Sequence, residues 1–429
     1  MNFIVASTLV MFLLLASGVW VAVSLGVAGY VGLFTVLGHE RSVLLLGKIL
    51  WELNTSYVVI ALPLFIFSGE ILFHAGIMRR IYDSVGKIVN FLPGGLIQSN
   101  IAACTVFAAC SGTSLAAAAT IGSVGYPQLK AKNYDRFMSL GSIAAGGGLG
   151  ILIPPSIIFI IYGGMAEVSI GKLFLAGVFP GLLLALLYSV YVAVKAMLDP
   201  RVAPKEPRSS LCDIARATGS LWPVFLMVVV VLGGIYGGVA SPSEVAALAA
   251  TIAALFALIN GTLSWTLLRN AGLATIKQTS MIMFILTSAK LVASNLIYYQ
   301  VPSAMAAWIE ASQISPYTAV ILLCLLYILL GIFFDGLSMM VITVPFIAPI
   351  MIQLGVDLIW LGVIVVMMIE IALLTPPVGL NLFVLHGATG EPIRAIVSGS
   401  MPFVLLQLIV VVLLFVFPQL ALFLPSSTY

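Results

Sequence analysis

The chain has 429 residues, 62% of them hydrophobic and only 8% charged, with a mean hydropathy of +1.21 and a formal net charge of +3. A water-soluble domain has no means of covering so much apolar surface, so the solvent for most of this chain is lipid. The apolar runs are long and unbroken rather than alternating, which excludes an outer-membrane barrel and predicts an all-α polytopic membrane protein, its backbone satisfied within each helix.

From the start, Asn2 to Leu37 carries no charge. That stretch is longer than the apolar core of a cleaved signal peptide and lacks a small-residue cleavage site before a soluble domain, so it predicts two retained helices bending near Gly18. Cytoplasmic loops are enriched in Lys and Arg. Arg79, Arg80 and Lys87 fall on one side with Lys130, Lys132, Arg136, a central basic loop, Arg269, Lys277 and Arg394, whereas the opposite loops hold only Arg41, Lys48 and Lys172. The rich side is the cytoplasm, and both chain ends are expected outside. Residues 199–218, with Pro200, Pro204 and Pro207, form the one clear linker and divide the chain into residues 1–198 and 219–429. Cys104, Cys110, Cys212 and Cys324 show no metal-ligand spacing.

The two halves resemble each other. Ser111-Gly112-Thr113-Ser114 aligns with Asp335-Gly336-Leu337-Ser338, each inside an apolar run introduced by a proline, Pro93 or Pro316. Pro127 then pairs with Pro349, Ile153-Pro154-Pro155 with Thr375-Pro376-Pro377, Gly177 with Gly399 and Pro180 with Pro402, at one nearly constant offset interrupted by a short deletion in the second half. Because the linker is cytoplasmic and the chain begins outside, each half crosses an odd number of times, which makes the repeats inverted. Each tetrad breaks its run at the middle, predicting re-entrant hairpins over about 93–129 and 316–353. The double prolines predict broken helices over about 134–165 and 356–387.

A hairpin tip frees N–H groups suited to an anion and carbonyls suited to a cation. Proline also strips a partner from the carbonyl about one turn earlier, near Gly150 and Ala372. These groups predict one cation site from Ser111, Ser114, Gly150, Ile153 and Pro155. Its symmetry mate would use Asp335, Ser338, Ala372, Thr375 and Pro377. Gly112, Thr113, Gly336, Gly379 and Asn381 are the candidate substrate ligands. Small-residue tetrads also serve helix packing, but their recurrence beside a double proline in both halves favours a site. Among charges within apolar runs, Glu70, Glu244, Lys290, Asp335 and Glu370, Asp335 stands at a tip and could offset a sodium ion. Glu70 and Lys290 occupy similar places in the two repeats and are expected to form a structural ion pair. His39, His74 and His386 are expected to pack near the membrane edges.

The stretches SGTSLAAAATIGSVGYPQL, NYDRFMSLGSIAAGGGLGILIPPSIIFIIYG, SIGKLFLAGVFPGLLLAL, GGIYGGVASPSEVAALAA, GIFFDGLSMMVITVPFIAPI and ALLTPPVGLNLFVLHG cover most of the chain. They resemble the large membrane subunits of tripartite ATP-independent periplasmic (TRAP) transporters, departing at Ala372, where that family more often has glycine. The resemblance implies a bacterial inner-membrane importer of carboxylates or sulfonates with an elevator mechanism. It implies as partners an extracytoplasmic substrate-binding protein, a small four-helix membrane subunit and membrane lipid, with no nucleic acid. No cofactor is expected beyond sodium as coupling ion. Two sodium ions with one monoanion would move one net positive charge inward, helped by about 2.3 kcal/mol per 100 mV of membrane potential.

Other classes fit less well. No G-x-x-x-x-G-K-[ST] loop supports an ATP-driven pump, no histidine neighbours the buried Ser111 as a protease would require, and no enzyme is expected. A stand-alone sodium/organic-anion symporter and an ion channel remain as alternatives; substrate counterflow separates carrier from channel.

Overall fold

The computed structural model describes residues 2–427 apart from 205, 206, 208, 302, 306, 308–311, 313 and 378, and the side chains of these except 2–6, 8, 16, 57, 58 and 108–111. Among the described residues every regular element is helical. The first half runs α1 (Asn2–Ala16), α2 (Val21–Thr55), α3 (Tyr57–His74), α4 (Ile77–Val89), α5 (Leu96–Ser111), α6 (Ser114–Ala131), α7 (Arg136–Leu152), α8 (Ile157–Ala166) and α9 (Ile170–Leu198). The second continues with α10 (Leu211–Ser220), α11 (Trp222–Tyr236), α12 (Pro242–Ile259), α13 (Trp265–Tyr298) and α14 (Pro316–Leu330). It closes with α15 (Gly336–Gln353), α16 (Leu358–Leu374), α17 (Leu380–Thr389), α18 (Ile393–Val416) and α19 (Gln419–Ser427).

Six described helices are long and apolar enough to cross a membrane alone, and three bent pairs raise the number to nine. Their outer faces show why. On α9 the exposed Leu182, Leu186, Val190 and Val194 stand one turn apart, while Leu184, Tyr188 and Val192 are buried; the stripe that a soluble helix would make polar is apolar here and faces lipid. The opening segment bends where expected, at Gly18 with φ +80°, and α2 breaks again at Gly38, just past Leu37.

The helix caps fix how the halves correspond. Thr113 caps α6 and Asp335 caps α15; Asp135 caps α7 and Asp357 caps α16; Ile153 and Thr375 close α7 and α16. All three pairs are 222 residues apart. The structural partner of Asp335 is therefore Thr113, not Ser111, and the short deletion expected in the second half is not needed after its tetrad. The halves differ in how the incoming arm ends: α5 reaches to within two residues of α6, whereas five residues, 331–335, separate α14 from α15. The linker is also more structured than its prolines predict, since α10 forms within it, capped by Ser210 and packed on α4.

Two groups of helices emerge. The long α2 lies along α13, and α3 along α12. Gly29 permits the first crossing: a Cβ there would stand 2.9 Å from both the Leu291 Cβ and the Val292 nitrogen. Helices α5 to α9 and α14 to α18 form the second group, in which α6 packs on α17 and α8 on α15, so that each half completes the other.

Candidate functional site

The first break is a closed turn. Gly112 has φ +63°, open to glycine at no steric cost, and a Cβ on it would lie 2.6 Å from the Pro155 carbonyl oxygen. The Ile157 N–H donates to the Gly112 carbonyl at 3.4 Å. Gly150 closes the other side, where an added Cβ would meet the Thr113 carbonyl oxygen at 2.8 Å and the Ser114 nitrogen at 3.3 Å. Pro154 has no N–H for the Gly150 carbonyl, one turn earlier. Gly112, Ser114, Gly150, Ile153 and Pro155 are all buried. The structure thus brings Gly112, Thr113, Ser114, Gly150 and Pro155 together. Ile153 turns its side chain toward Gly181 of α9, and the Ser111 side chain lies outside the described residues.

Asn381 comes to the same place from the other repeat. Its Nδ2 donates to Ser114 Oγ at 2.6 Å and to the Ala144 carbonyl at 3.3 Å, and the Ser114 hydroxyl lies 2.9 Å from Asn381 Oδ1. Asparagine and serine are both fully engaged, buried and neutral.

The second break is more open. Asp335, half-buried, accepts the Leu337 and Ser338 N–H groups at 3.1 and 3.2 Å and the Ser338 hydroxyl. Its carboxylate is therefore held at the start of α15, where the helix dipole favours negative charge. Gly336, expected to make the turn, is instead the first helical residue of α15, and what it permits is contact with the Ile369 side chain. Ala372 has a glycine opposite it: a Cβ on Gly331 would stand 2.7 Å from the Ala372 Cβ. The Ala372 carbonyl, expected to be freed, accepts the Thr375 N–H at 3.2 Å, while the Thr375 hydroxyl donates to the Ile371 carbonyl at 2.6 Å. Gly379 caps α17, and Pro376 and Pro377 are exposed. No group of three or more His, Cys, Asp or Glu gathers among the described residues, so any cation here would be held mainly by carbonyls and hydroxyls.

The remaining charges fall elsewhere. Glu70 and Lys290 do not pair among the described residues. Glu70 accepts Gln278 Nε2 at 2.6 Å and lies 3.5 Å from His74. Lys290 lines two adjoining crevices of about 430 and 490 Å³ with Glu52 and Glu167, between α2, α3 and α13 on one side and α8 and α15 on the other. Glu244 belongs to a capping box with Ser241 at the start of α12. Glu370 is fully buried in the core.

One cluster escapes the sequence reading, which uses Lys130 and Arg136 only to mark the cytoplasmic side. Glu391, after α17, lies 2.8 Å from Lys130 Nζ and 2.5 Å from Arg136. Hydrogen bonds from Lys130 and Tyr126, with Arg136 close by, hold its carboxyl down to about 2. This clamp ties the far end of the second broken helix to the α6–α7 turn of the first half. No local signal marks it, because the partners stand more than 250 residues apart in the chain.

These features define a class: an all-α, multi-pass membrane protein of two inverted repeats, with two polar breaks inside its helical core. The sequence model of the family described as tripartite ATP-independent periplasmic transporter, DctM component, matches residues 8–420. The chain is 37% identical over 405 residues to a C4-dicarboxylate TRAP transporter large permease protein of Pseudomonas aeruginosa, covering 94% of each chain. It is 33% identical to an ectoine/5-hydroxyectoine TRAP transporter large permease protein of Ruegeria pomeroyi, covering 98% of each. Its fold matches the crystal structure of the Alcanivorax borkumensis YdaH transporter with a TM-score of 0.64, 15% identity and coverage of 89% and 90%. The chain belongs to the DctM family, the large permease subunits of TRAP transporters.

Proposed function

We propose that this subunit imports a small organic acid, delivered by an extracytoplasmic binding protein, by coupling it to sodium entry in an elevator-type movement beside a small membrane subunit. The observation that carries the reading is the meeting of Ser114 and Asn381 across the two repeats at the first break. Polar groups from both halves there surround the Gly112 turn and the Gly150 carbonyl, an arrangement of neutral donors and acceptors suited to binding and release rather than bond making. The second break adds the Asp335 carboxylate, which would offset a cation's charge. The relatives named for C4-dicarboxylates and ectoines share a carboxylate as ligand chemistry, which suits the N–H groups at the start of α6. The crevices between the α2–α13 group and the α8–α15 face mark a seam along which one group could slide past the other.

The test is uptake into proteoliposomes holding this chain with its small subunit, using a labelled ligand first identified by thermal shift of the binding protein. Uptake is expected to need both a sodium gradient and the binding protein, and Asn381→Ala or Ser114→Ala is expected to lower it at least tenfold in correctly folded protein. Wild-type uptake indifferent to sodium would overturn the coupling. Robust uptake without the binding protein would favour a stand-alone symporter.

A further inference from the structure

A cavity of about 340 Å³ opens at the cytoplasmic end of the core, beside the Glu391 clamp. Tyr126 and Lys130 reach it from the end of α6, Arg136 and Ser139 from the start of α7, and Glu391 from beyond α17. The α6–α7 turn closes it with Asn133, held at φ +57°, a conformation asparagine tolerates. Three separate stretches of chain, drawn from both repeats, therefore build one pocket.

One polar group in its wall is unspent. Ser139 is 1% exposed, and its hydroxyl has no hydrogen-bond partner. Other buried hydroxyls of the core return to a carbonyl one turn back, Ser400 to Ile396 at 2.8 Å and Thr343 to Met339 at 2.9 Å; that of Ser139 does not. Native interiors keep such orphans rare, and one lining a cavity marks the place of a ligand.

The charges in the wall do not cancel. Lys130 and Arg136 bring two positive charges, and Glu391 answers one of them. An ammonium has three N–H donors and a guanidinium five, more than one carboxylate that also takes the Tyr126 hydroxyl can accept. Asp135, next to Arg136 in the chain, is engaged as the cap of α7, where it accepts the Met138 N–H at 2.7 Å. The cavity also stands at the start of that 17-residue helix, where the dipole favours an anion. The surplus fits one negative charge, and the walls indicate its carrier. A guanidinium pairs its planar fork with a carboxylate, and the Ser139 hydroxyl can donate to the same group. The buried rings of Tyr126 and Tyr134 offer apolar surface to a short carbon chain, which a bare inorganic ion would leave unused.

We infer that this cavity is a binding site for the carboxylate of a small organic acid, entered from the cytoplasm and distinct from the two breaks. It goes beyond the proposed function, which uses neither Ser139 nor the clamp. A carboxylate bound here shares Arg136 with Glu391, so acid accumulating on the inner side would act on the contact that ties the two repeats together. The test uses the complete membrane complex in nanodiscs, in sodium-free buffer, with trifluoroacetate as the probe and fluorine NMR as the readout. Saturable broadening of the probe signal is expected. Butyrate should reverse it, butyramide, its neutral counterpart, should not, and inorganic phosphate should compete less well than butyrate. Ser139→Ala is expected to weaken probe binding about fivefold, and Arg136→Gln roughly tenfold or more. If R136Q does not fold, R136K, which keeps the charge but not the fork, takes its place with an expected loss of about threefold. Absence of saturable binding, displacement by butyramide or phosphate as effective as by butyrate, or binding indifferent to the substitutions at both positions would overturn the inference. Because sodium is absent and S114A is expected to bind the probe like wild type, a negative result here and a failure of the proposed transport site are read separately.

Discussion

Replacing Gly150 with alanine tests how tightly the first break is built. The new methyl would sit 2.8 Å from the Thr113 carbonyl oxygen and 3.0 Å from its carbon. Both are backbone atoms of the hairpin turn, so no side chain can swing away, and either α7 or the turn must move by several tenths of an ångström. Overpacking of this kind costs about 1–3 kcal/mol. If the Gly150 carbonyl and the turn beside it hold sodium, a loss of that size weakens sodium binding roughly five- to 150-fold, since each 1.4 kcal/mol is tenfold. The equivalent position in the second half supplies the control. Ala372 already carries a methyl and meets Gly331 rather than a carbonyl, so Ala372→Gly is expected to leave the sodium dependence within about threefold of wild type, removing only one buried methyl. The assay is initial uptake against sodium concentration in proteoliposomes, with a melting curve for each variant. An unchanged sodium dependence and melting temperature for G150A would show that the turn tolerates displacement and that its carbonyls do not set the affinity.

Two further substitutions probe the parts around the site. Glu391→Gln is expected to lower thermal stability by about 1 kcal/mol, because Lys130 and Arg136, both open to solvent that screens them, lose a charged partner. With the carboxyl lowered from 4.5 to about 2, the clamp's contribution is complete above about pH 4.5 and fades as pH falls toward 2. The difference between wild type and E391Q in a melting series should therefore be flat from pH 5 to 8, and a difference that grows with alkalinity across that range would contradict it. Gly29→Ala would drive a methyl into Leu291 and the Val292 backbone, prising α2 from α13. A loss of about 1–3 kcal/mol is expected, read as reduced yield of folded complex, and a variant as stable as wild type would show that this crossing has slack.

Much of the architecture is legible in the residues because membrane helices obey few rules: apolar length, Lys and Arg asymmetry, and prolines that break the pattern. Gly18 and the double prolines each announce a local event, and the structure places such events there. What stays hidden depends on partners far along the chain. Nothing near Glu70 names Gln278 as its partner, and nothing near Lys290 says that it faces a crevice instead. Glu244 is the opposite case: Ser241-Pro-Ser-Glu244 ahead of an apolar run is a capping-box signature, readable in advance, and it removes Glu244 from the functional candidates. The tetrads mislead for a third reason. Matching glycines suggested Gly112 opposite Gly336, yet only Gly112 turns the chain with positive φ, and the cap positions put Thr113 opposite Asp335.

That shift changes what the two breaks can do. A neutral threonine caps the outgoing arm of the first, and an aspartate caps the second, so equivalent backbone positions differ by one full charge. The first break is buried and sealed by Asn381 from the other repeat, while the second leaves Pro376 and Pro377 exposed. A cation at the second would find a carboxylate and nearby water. At the first it would find only dipoles, so a second counter-charge would have to come from the substrate's own acid group. On the proposed function, this makes binding at the first break the step that substrate and sodium share, and places the chain's discrimination between acid and neutral ligands there. Sodium affinity measured with and without ligand should then differ in wild type and converge in Asn381→Ala. Equal coupling in the two proteins would refute the assignment.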